Sequence, residues 1–359
     1  MRFTLKYWKI FTVTALSVLS LACTIPVSST AKESSLTPNN NQQQVINKVI
    51  STLSGHSAPV KAIAISPDGQ ILVSGSDDNT VKVWNLKTGQ LLHTLNAHKD
   101  RVTSVAITHD GETLASGSYD NTVKIWSLKT GQLLTTFDKN KAAVISIVIS
   151  PDGKNLISAN ADKNIKVWSL KNGELQRTIK TATVSLGISA DGKTLFSGNQ
   201  DGKIQLFNTS TGKLLKTLTP PLPKDPYFDF QKASAVSSLA ISNDGKTLVS
   251  SGYDDSHQSI QATDGKNIKV WNLQTGKLVH NFSVGIGGID AVAISPDGKT
   301  FATGGYVYEI MLWDVSTGKR LHTLSARQGG VHAFSFSKDG KIIVSSSGNK
   351  SIKVWRLSD

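Results

Sequence analysis

The 359-residue chain is predicted to be all-β, a closed ring of seven four-stranded antiparallel sheets, and three observations predict it. An aromatic residue closing a short apolar run recurs seven times, at Trp84, Trp126, Trp168, Phe207, Trp271, Trp313 and Trp355, with spacings of 42, 42, 39, 64, 42 and 42 residues. Seven Asp-Gly turns keep step with it, from SPDG at 66–69 to SKDG at 337–340. The last unit ends after its third apolar run, SIKVWRL, and an unclaimed fourth run, NKVISTLSGH, stands at 47–56 before the first unit.

Each element follows from local chemistry. The first unit reads VKAIAIS, turn, ILVSGS, turn, TVKVWNL, turn, QLLHTL. A run of six residues makes roughly 20 Å of strand. Alternation of period two with β-branched residues, broken by Asp-Gly and then by Thr-Gly at Thr88, Thr130, Thr211, Thr275 and Thr317 or Asn-Gly at Asn172, specifies consecutive hairpins. One such sheet cannot bury both faces. Seven set radially bury them against one another. The orphan run before the first unit then completes the seventh sheet, so the ring keeps no open seam.

These residues resemble the WD-repeat β-propeller family over 45–359. Family units carry Gly-His before the first strand, Ser or Thr in the second, Asp before the third and Trp within it. Unit one has His56, Ser74, Asp78 and Trp84, and unit two has His98, Ser116, Asp120 and Trp126. The resemblance implies a buried hydrogen-bond chain from Trp through Ser and His to Asp, which rigidifies each sheet because buried polar groups must be paired. Later units depart from the pattern. Unit three keeps Ser158, Asp162 and Trp168 without the His, unit four has Phe207 with Ser197 and Asp201, and units six and seven have Val307 and Asn349 where the Asp belongs.

The N-terminus reads differently. MRFTLKYWK is basic, and Ile10 to Ala22 is a 13-residue stretch without a charge. Basic, apolar, then small is the order of a secretory signal. As a helix the stretch rises about 20 Å, short of a hydrocarbon core of about 30 Å. LSLAC resembles a bacterial lipoprotein signal with Cys23, the only cysteine, as lipid acceptor, although Ser20 stands where that family usually has Leu. Cleavage after Ala31 in SSTA, or retention as an anchor, are the other readings. The expected organisation is signal or membrane anchor 1–25, flexible polar linker 26–44 and propeller 45–359. Residues 31–44 are too polar to offset their ordering entropy. The expected location is exported, periplasmic or membrane-tethered.

Composition narrows the chemistry. Net charge is +13, and Arg2, Lys6 and Lys9 supply three of it within the first 25 residues. The remaining lysines are dispersed, which describes a solvated surface and no nucleic-acid track. His56 beside Ser74 and Asp78 has the composition of a catalytic triad, but the same trio recurs in unit two, and a repeated trio is scaffold. His93, His280 and His322 share one fourth-strand position on different units and cannot meet at a metal. No phosphate loop, HExxH or cysteine pair occurs. No cofactor, metal or catalytic group is expected, and the ring is expected to be monomeric.

Partner contacts are expected on the face that carries the second-to-third-strand loops and the links between units. The family resemblance implies contact positions at Pro59, Lys61, Asp77, Lys99, Arg101, Tyr119, Gln200, Asp290, Tyr306 and His332. Two insertions, 219–235 and 253–265, account for the 64-residue spacing and join that face beside unit five. Tyr227, Phe228 and Phe230 supply apolar area there, and Asp225, Asp229, Asp254 and Asp255 an acidic rim. The implied function is a non-enzymatic scaffold for a protein or peptide partner, the alternative being a propeller that uses its central channel for a small ligand or a reaction.

Overall fold

The computed structural model describes residues 48–96, 98–221, 235–252, 267–282, 284, 288–305, 309–325 and 329–357. Those residues form seven antiparallel sheets of four strands, with no helix among them. The first blade runs Val60–Ile65, Ile71–Ser76, Val81–Asn85, Leu91–Leu95, in spatial order of sequence. First strands of successive blades contact one another around the ring, and that of blade seven contacts that of blade one. The first strands are therefore the inner wall and the fourth strands the rim.

Blade seven is composite. Its strands Phe334–Phe336, Ile342–Ser346 and Ser351–Arg356 are completed by Lys48–Ser54, which pairs antiparallel with the last of them. Leu53 of that strand, 3% exposed, packs with Ile352 and Val354 of blade seven and with Val60, Leu72 and Trp84 of blade one. The same apolar alternation that makes each run a strand thus fills the wedge between neighbouring blades. Between blades one and two, Val73, Val81 and Val83 meet Val102, Leu114 and Trp126 in the same way.

Turn chemistry sets the register. In the first turn of each blade a Ser or Thr hydroxyl donates to the Asp two residues on, as Ser66 does to Asp68 at 2.5 Å, and Gly69 takes φ 73°. This hydroxyl bond, followed by the backbone N–H two residues beyond the Asp, holds seven carboxylates below their ordinary range, at Asp68, Asp110, Asp152, Asp191, Asp244, Asp297 and Asp339. In the turn between second and third strands the left-handed position belongs to Asn79, Asn121, Lys163, Gly202 and Lys350. Left-handed backbone disfavours a lysine by roughly 1–2 kcal/mol. Lys163→Gly is therefore expected to raise stability by about 0.5–1 kcal/mol, read from urea midpoints at constant slope. A lower midpoint would contradict the strain argument.

A rim bulge in every blade and an inner-wall bulge in blades one to five re-aim side chains. On the rim, Val83 pairs with His93 and Trp84 with Leu91, leaving Leu92 as the extra residue. Leu134, Gln176, Leu215, Val279, Leu321 and Ile50 are extra in the same way. A bulge twists an outer strand and blunts it against pairing with another chain. On the inner wall, Val60 pairs with Ser76 and Ala62 with Gly75, which leaves Lys61 unpaired. Thr103, Ile145, Val184 and Ser237 occupy that bulge in blades two to five.

Candidate functional site

In blade one the Trp84 indole N–H donates to Ser74 Oγ at 2.9 Å. The Ser74 hydroxyl donates to His56 Nε2 at 2.8 Å, and His56 Nδ1–H donates to Asp78 Oδ2 at 2.8 Å. The Ser57 N–H and the Thr80 hydroxyl complete the carboxylate at 2.9 and 2.6 Å. Blade two repeats the arrangement through Trp126, Ser116, His98 and Asp120 at 2.9, 2.7 and 2.9 Å. Ser74 and Ser116 are fully buried, and each hydroxyl is engaged on both sides. Neither can reach a substrate, so the trio works as a strut.

Burial opposes charge on both members of the blade-one pair. It pushes His56 below its ordinary value, outweighing the hydrogen bond and charge of Asp78 that act the other way. For Asp78, burial acts upward but loses to the hydrogen bonds from Thr80, Ser57 and His56, so the carboxyl stays below its usual range. Asp120 is held down in the same way, and more strongly. His56 is thus neutral in the fold and takes up its proton on unfolding near 6.5. A group with a lowered folded value contributes fully above the unfolded value, and its contribution falls away with falling pH. Stability to urea is expected to be constant above about pH 7 and to decline toward pH 5.5, with a second decline below about pH 3.8 as the turn aspartates take up protons. His56→Gln is expected to reduce the first decline. An unaltered profile in that variant would remove His56 from the account.

The other blades solve the same problem differently. Asn140 stands in blade three at the position of His98, is 5% exposed, and its amide is too short to bridge. Its Nδ2 and Oδ1 find no partner in the fold, and Trp168 still donates to Ser158 at 3.0 Å. Blade four lacks the indole donor because Phe207 replaces Trp. There Ser197 exchanges a 2.7 Å bond with Thr183 and donates to Asn199, whose amide donates to Gln205 at 3.0 Å. Asp201 turns outward to an exposed ion pair with Lys203 at 2.7 Å. Blades five, six and seven keep the indole bond, from Trp271 to Ser250, Trp313 to Thr303 and Trp355 to Ser345.

The rim histidines also find use. His93 and His280 each bond a carbonyl in the next blade's turn, Lys129 O at 3.2 Å and Ser316 O at 3.0 Å. Arg177 and Lys216 make the same reach to Thr209 O and Thr275 O.

Loop-face residues group into two clusters. At the channel mouth, Lys61 Nζ lies 3.3 Å from His332 Nε2 and 3.8 Å from Asp77 Oδ2, and His332 Nδ1 lies 3.0 Å from Asp290 Oδ2. Asp290, His332 and Lys61 occupy the same column of the repeat in blades six, seven and one. In that column Thr103 donates to Val144 O of the next blade at 2.8 Å, and Ser237 to Ile289 O at 2.6 Å. Ile145 and Val184, half-buried, fill it in blades three and four. The second cluster is Arg101, stacked 4.1 Å over the Tyr119 ring. Lys99 joins neither; its backbone N–H serves Asp120, and its side chain is exposed. Pro59 lends its carbonyl to the Asp77 N–H at 2.9 Å, and Gln200 is exposed.

Tyr227, Phe228, Phe230, Asp225, Asp229, Asp254, Asp255, Tyr306, Val307 and Cys23 lie outside the described residues. The strands that bracket the two insertions, ending at Leu218 and Gly252, finish on the loop face. Among the described residues no cluster of three or more His, Cys, Asp or Glu is placed to hold a metal, and no helix is long and apolar enough to cross a membrane. A cavity of about 510 Å³ opens on the opposite, turn-bearing face, beside Thr113, Lys154, Lys171 and Gln176.

The bulge column was hard to weigh from sequence because its chemistry changes in every blade. The signal was that variability itself, a single changing residue after the first Val, Thr or Ile of each inner strand.

Comparison with known proteins agrees with this architecture. The family described as WD domain, G-beta repeat matches residues 47–85, 226–272 and 318–356, and the first beta-propeller of IFT122 matches 81–226. WD repeat, SAM and U-box domain-containing protein 1 of Gallus gallus is 60% identical over 42 residues, 12% of this chain and 9% of that protein. Protein FIZZY-RELATED 2 of Arabidopsis thaliana is 34% identical over 91 residues, 23% of this chain and 19% of its own. Eukaryotic translation initiation factor 3 subunit I of Aspergillus niger is 44% identical over 43 residues, 12% of this chain and 13% of that protein. The chain thus matches less than a fifth of each relative's length, within repeat units. Seven four-stranded sheets in a closed ring, with WD40 repeats matched at 47–85, 226–272 and 318–356, make this chain a seven-bladed β-propeller that carries WD40 repeats.

Proposed function

We propose that the chain is a non-enzymatic interaction platform that docks a protein or peptide partner on its loop face. The observation that carries the reading is the bulge column. The frame repeats blade after blade, while the residue at the inner-wall bulge differs in each of blades one to five, and the same column carries Asp290 and His332 in blades six and seven. A rigid frame with a varied display suits recognition, because little ordering entropy is lost on docking. The buried serines favour a structural use of the triad-like groups of blades one and two. Eukaryotic translation initiation factor 3 subunit I, named as a subunit of a larger factor, lends support by analogy.

The same proposal includes the N-terminus. Residues 1–25 serve as an export signal or lipid anchor and 26–44 as a tether, so the ring at 45–359 works outside the cytoplasmic membrane. Cell fractionation tests this, with Cys23→Ala separating lipidation from cleavage after Ala31. Recovery of the intact chain in the cytosol would sink that part.

Partner capture from native membranes, with the intact chain and a variant lacking 222–231 as baits, tests the platform. The deletion is expected to leave the melting temperature within about 2 °C and to weaken partner capture at least about tenfold. Equal capture by both baits moves the site away from the blade-five insertions, and no partner with either removes the platform reading.

A further inference from the structure

The channel mouth is bipolar, and its polarity names the kind of group it takes. Lys61 lies between Asp77 and His332. For His332 Nε2 to accept from the ammonium, Nδ1 must carry the ring proton, and it donates that proton to Asp290. The ring is then neutral. Lys61 and Asp77 offset each other, while Asp290 faces a neutral donor, and its only ion-pair partner among the described residues is that imidazole. Among the described residues of this column, Asp290 is therefore the carboxylate without a cation beside it. The Asp290 side chain is 23% exposed, so the charge is partly withdrawn from water and attracts a cation more strongly than an open surface carboxylate does. Asp77 Oδ1, buried and without a hydrogen-bond partner, adds acceptor capacity.

In a ring of seven, the point opposite blade seven falls between blades three and four, where the column carries Ile145 and Val184. The intervening hydroxyls of blades two and five donate to backbone carbonyls, which leaves them acceptors only toward a guest. An acidic group at this mouth meets Asp290 with like charge. An apolar group buries the Asp290 charge with no cation beside it, which is unfavourable. A basic side chain satisfies both arcs, with its methylene stem on the apolar side and its charge on the acidic side.

We propose that the mouth takes one arginine or lysine from an extended, otherwise apolar segment of the partner, with Asp290 as its anion and Ile145 and Val184 against its stem. The inference rests on the loop face being the docking face.

The test titrates the full chain with fluorescein-labelled peptides Gly-Val-Leu-Xaa-Val-Leu-Gly in which the central residue is arginine, citrulline or glutamate. The arginine peptide is expected to bind at least about tenfold more tightly than the other two, as one charge-assisted contact supplies. Asp290→Asn keeps an oxygen for His332 and is expected to abolish the preference, whereas Asp290→Glu retains it. Ile145→Ser is expected to weaken the arginine peptide about threefold, as for a partly lost apolar contact. Equal affinity for all three peptides, no binding by any, or a preference that survives Asp290→Asn overturns the proposal. A captured partner that binds Asp290→Asn as tightly as the parent overturns it too, and leaves the platform reading intact.

Discussion

Gly305→Ala is expected to destabilise the ring by more than about 3 kcal/mol, the upper range for forcing added volume into a packed site. A Cβ on Gly305 would lie 2.1 Å from Gly288 O, 2.8 Å from Ile289 Cα and 2.9 Å from Asp290 N, all of them backbone atoms. No side chain can swing aside. The backbone there is also committed, since the Asp290 N–H donates to Gly304 O at 3.0 Å and the Val331 N–H to Gly305 O at 2.9 Å. The second of these bonds ties blade seven to blade six, so relief of the clash pulls on an interblade contact and on Asp290 at the channel mouth. Gly69→Ala is the control. Its Cβ meets nothing within 4 Å, but φ is 73°, so the expected loss is about 1–2 kcal/mol from backbone conformation alone. Denaturant titration of both variants separates the two causes. Equal losses would show that the blade-six contact relaxes cheaply.

The second large effect is expected from Ser74→Val. The substitution puts two methyl groups where the fully buried side chain has one hydroxyl, and removes the oxygen that joins Trp84 to His56. Two buried polar atoms then stand unpaired, at about 1–3 kcal/mol each, for an expected loss of about 2–6 kcal/mol. Ser158→Val in blade three has no histidine to strand and is expected to cost about half as much, because the oxygen there receives Trp168 and a longer 3.3 Å bond from Asn160. The comparison measures what the imidazole adds to a blade. A loss below about 1 kcal/mol for Ser74→Val would remove the strut role.

Much of the fold was legible before any coordinates, for a local reason. Each hairpin is specified by residues next to one another: Ser66 to Asp68 to Gly69 in the first turn, and the period-two runs on either side. Repeating that unit predicts the blade and the blade count. The orphan run at 48–54 was legible by elimination, since blade seven otherwise lacked a fourth strand. The rewiring in blade four was only half visible. The replacement of Trp by Phe207 announced that an N–H was missing, but nothing local pointed to Thr183 and Gln205 as the residues that take over.

The sequence by itself determined the strands, the turns and the number of blades, because those depend on spacing within a single repeat, and its resemblance to WD-repeat units implied the Trp-Ser-His-Asp strut. The tertiary structure alone decided which loop-face residues meet. Lys61 and His332 are separated by 271 positions and are joined only because the ring closes. A bulge is a mismatch in register between two strands, so whether Lys61 is held in a ladder or aimed at the channel depends on its neighbour as much as on itself. Closure brings blades six, seven and one side by side, and the entries to their first strands bring Asp290, His332 and Lys61 to a single mouth. Charge balance across that mouth exists only once the two have happened together.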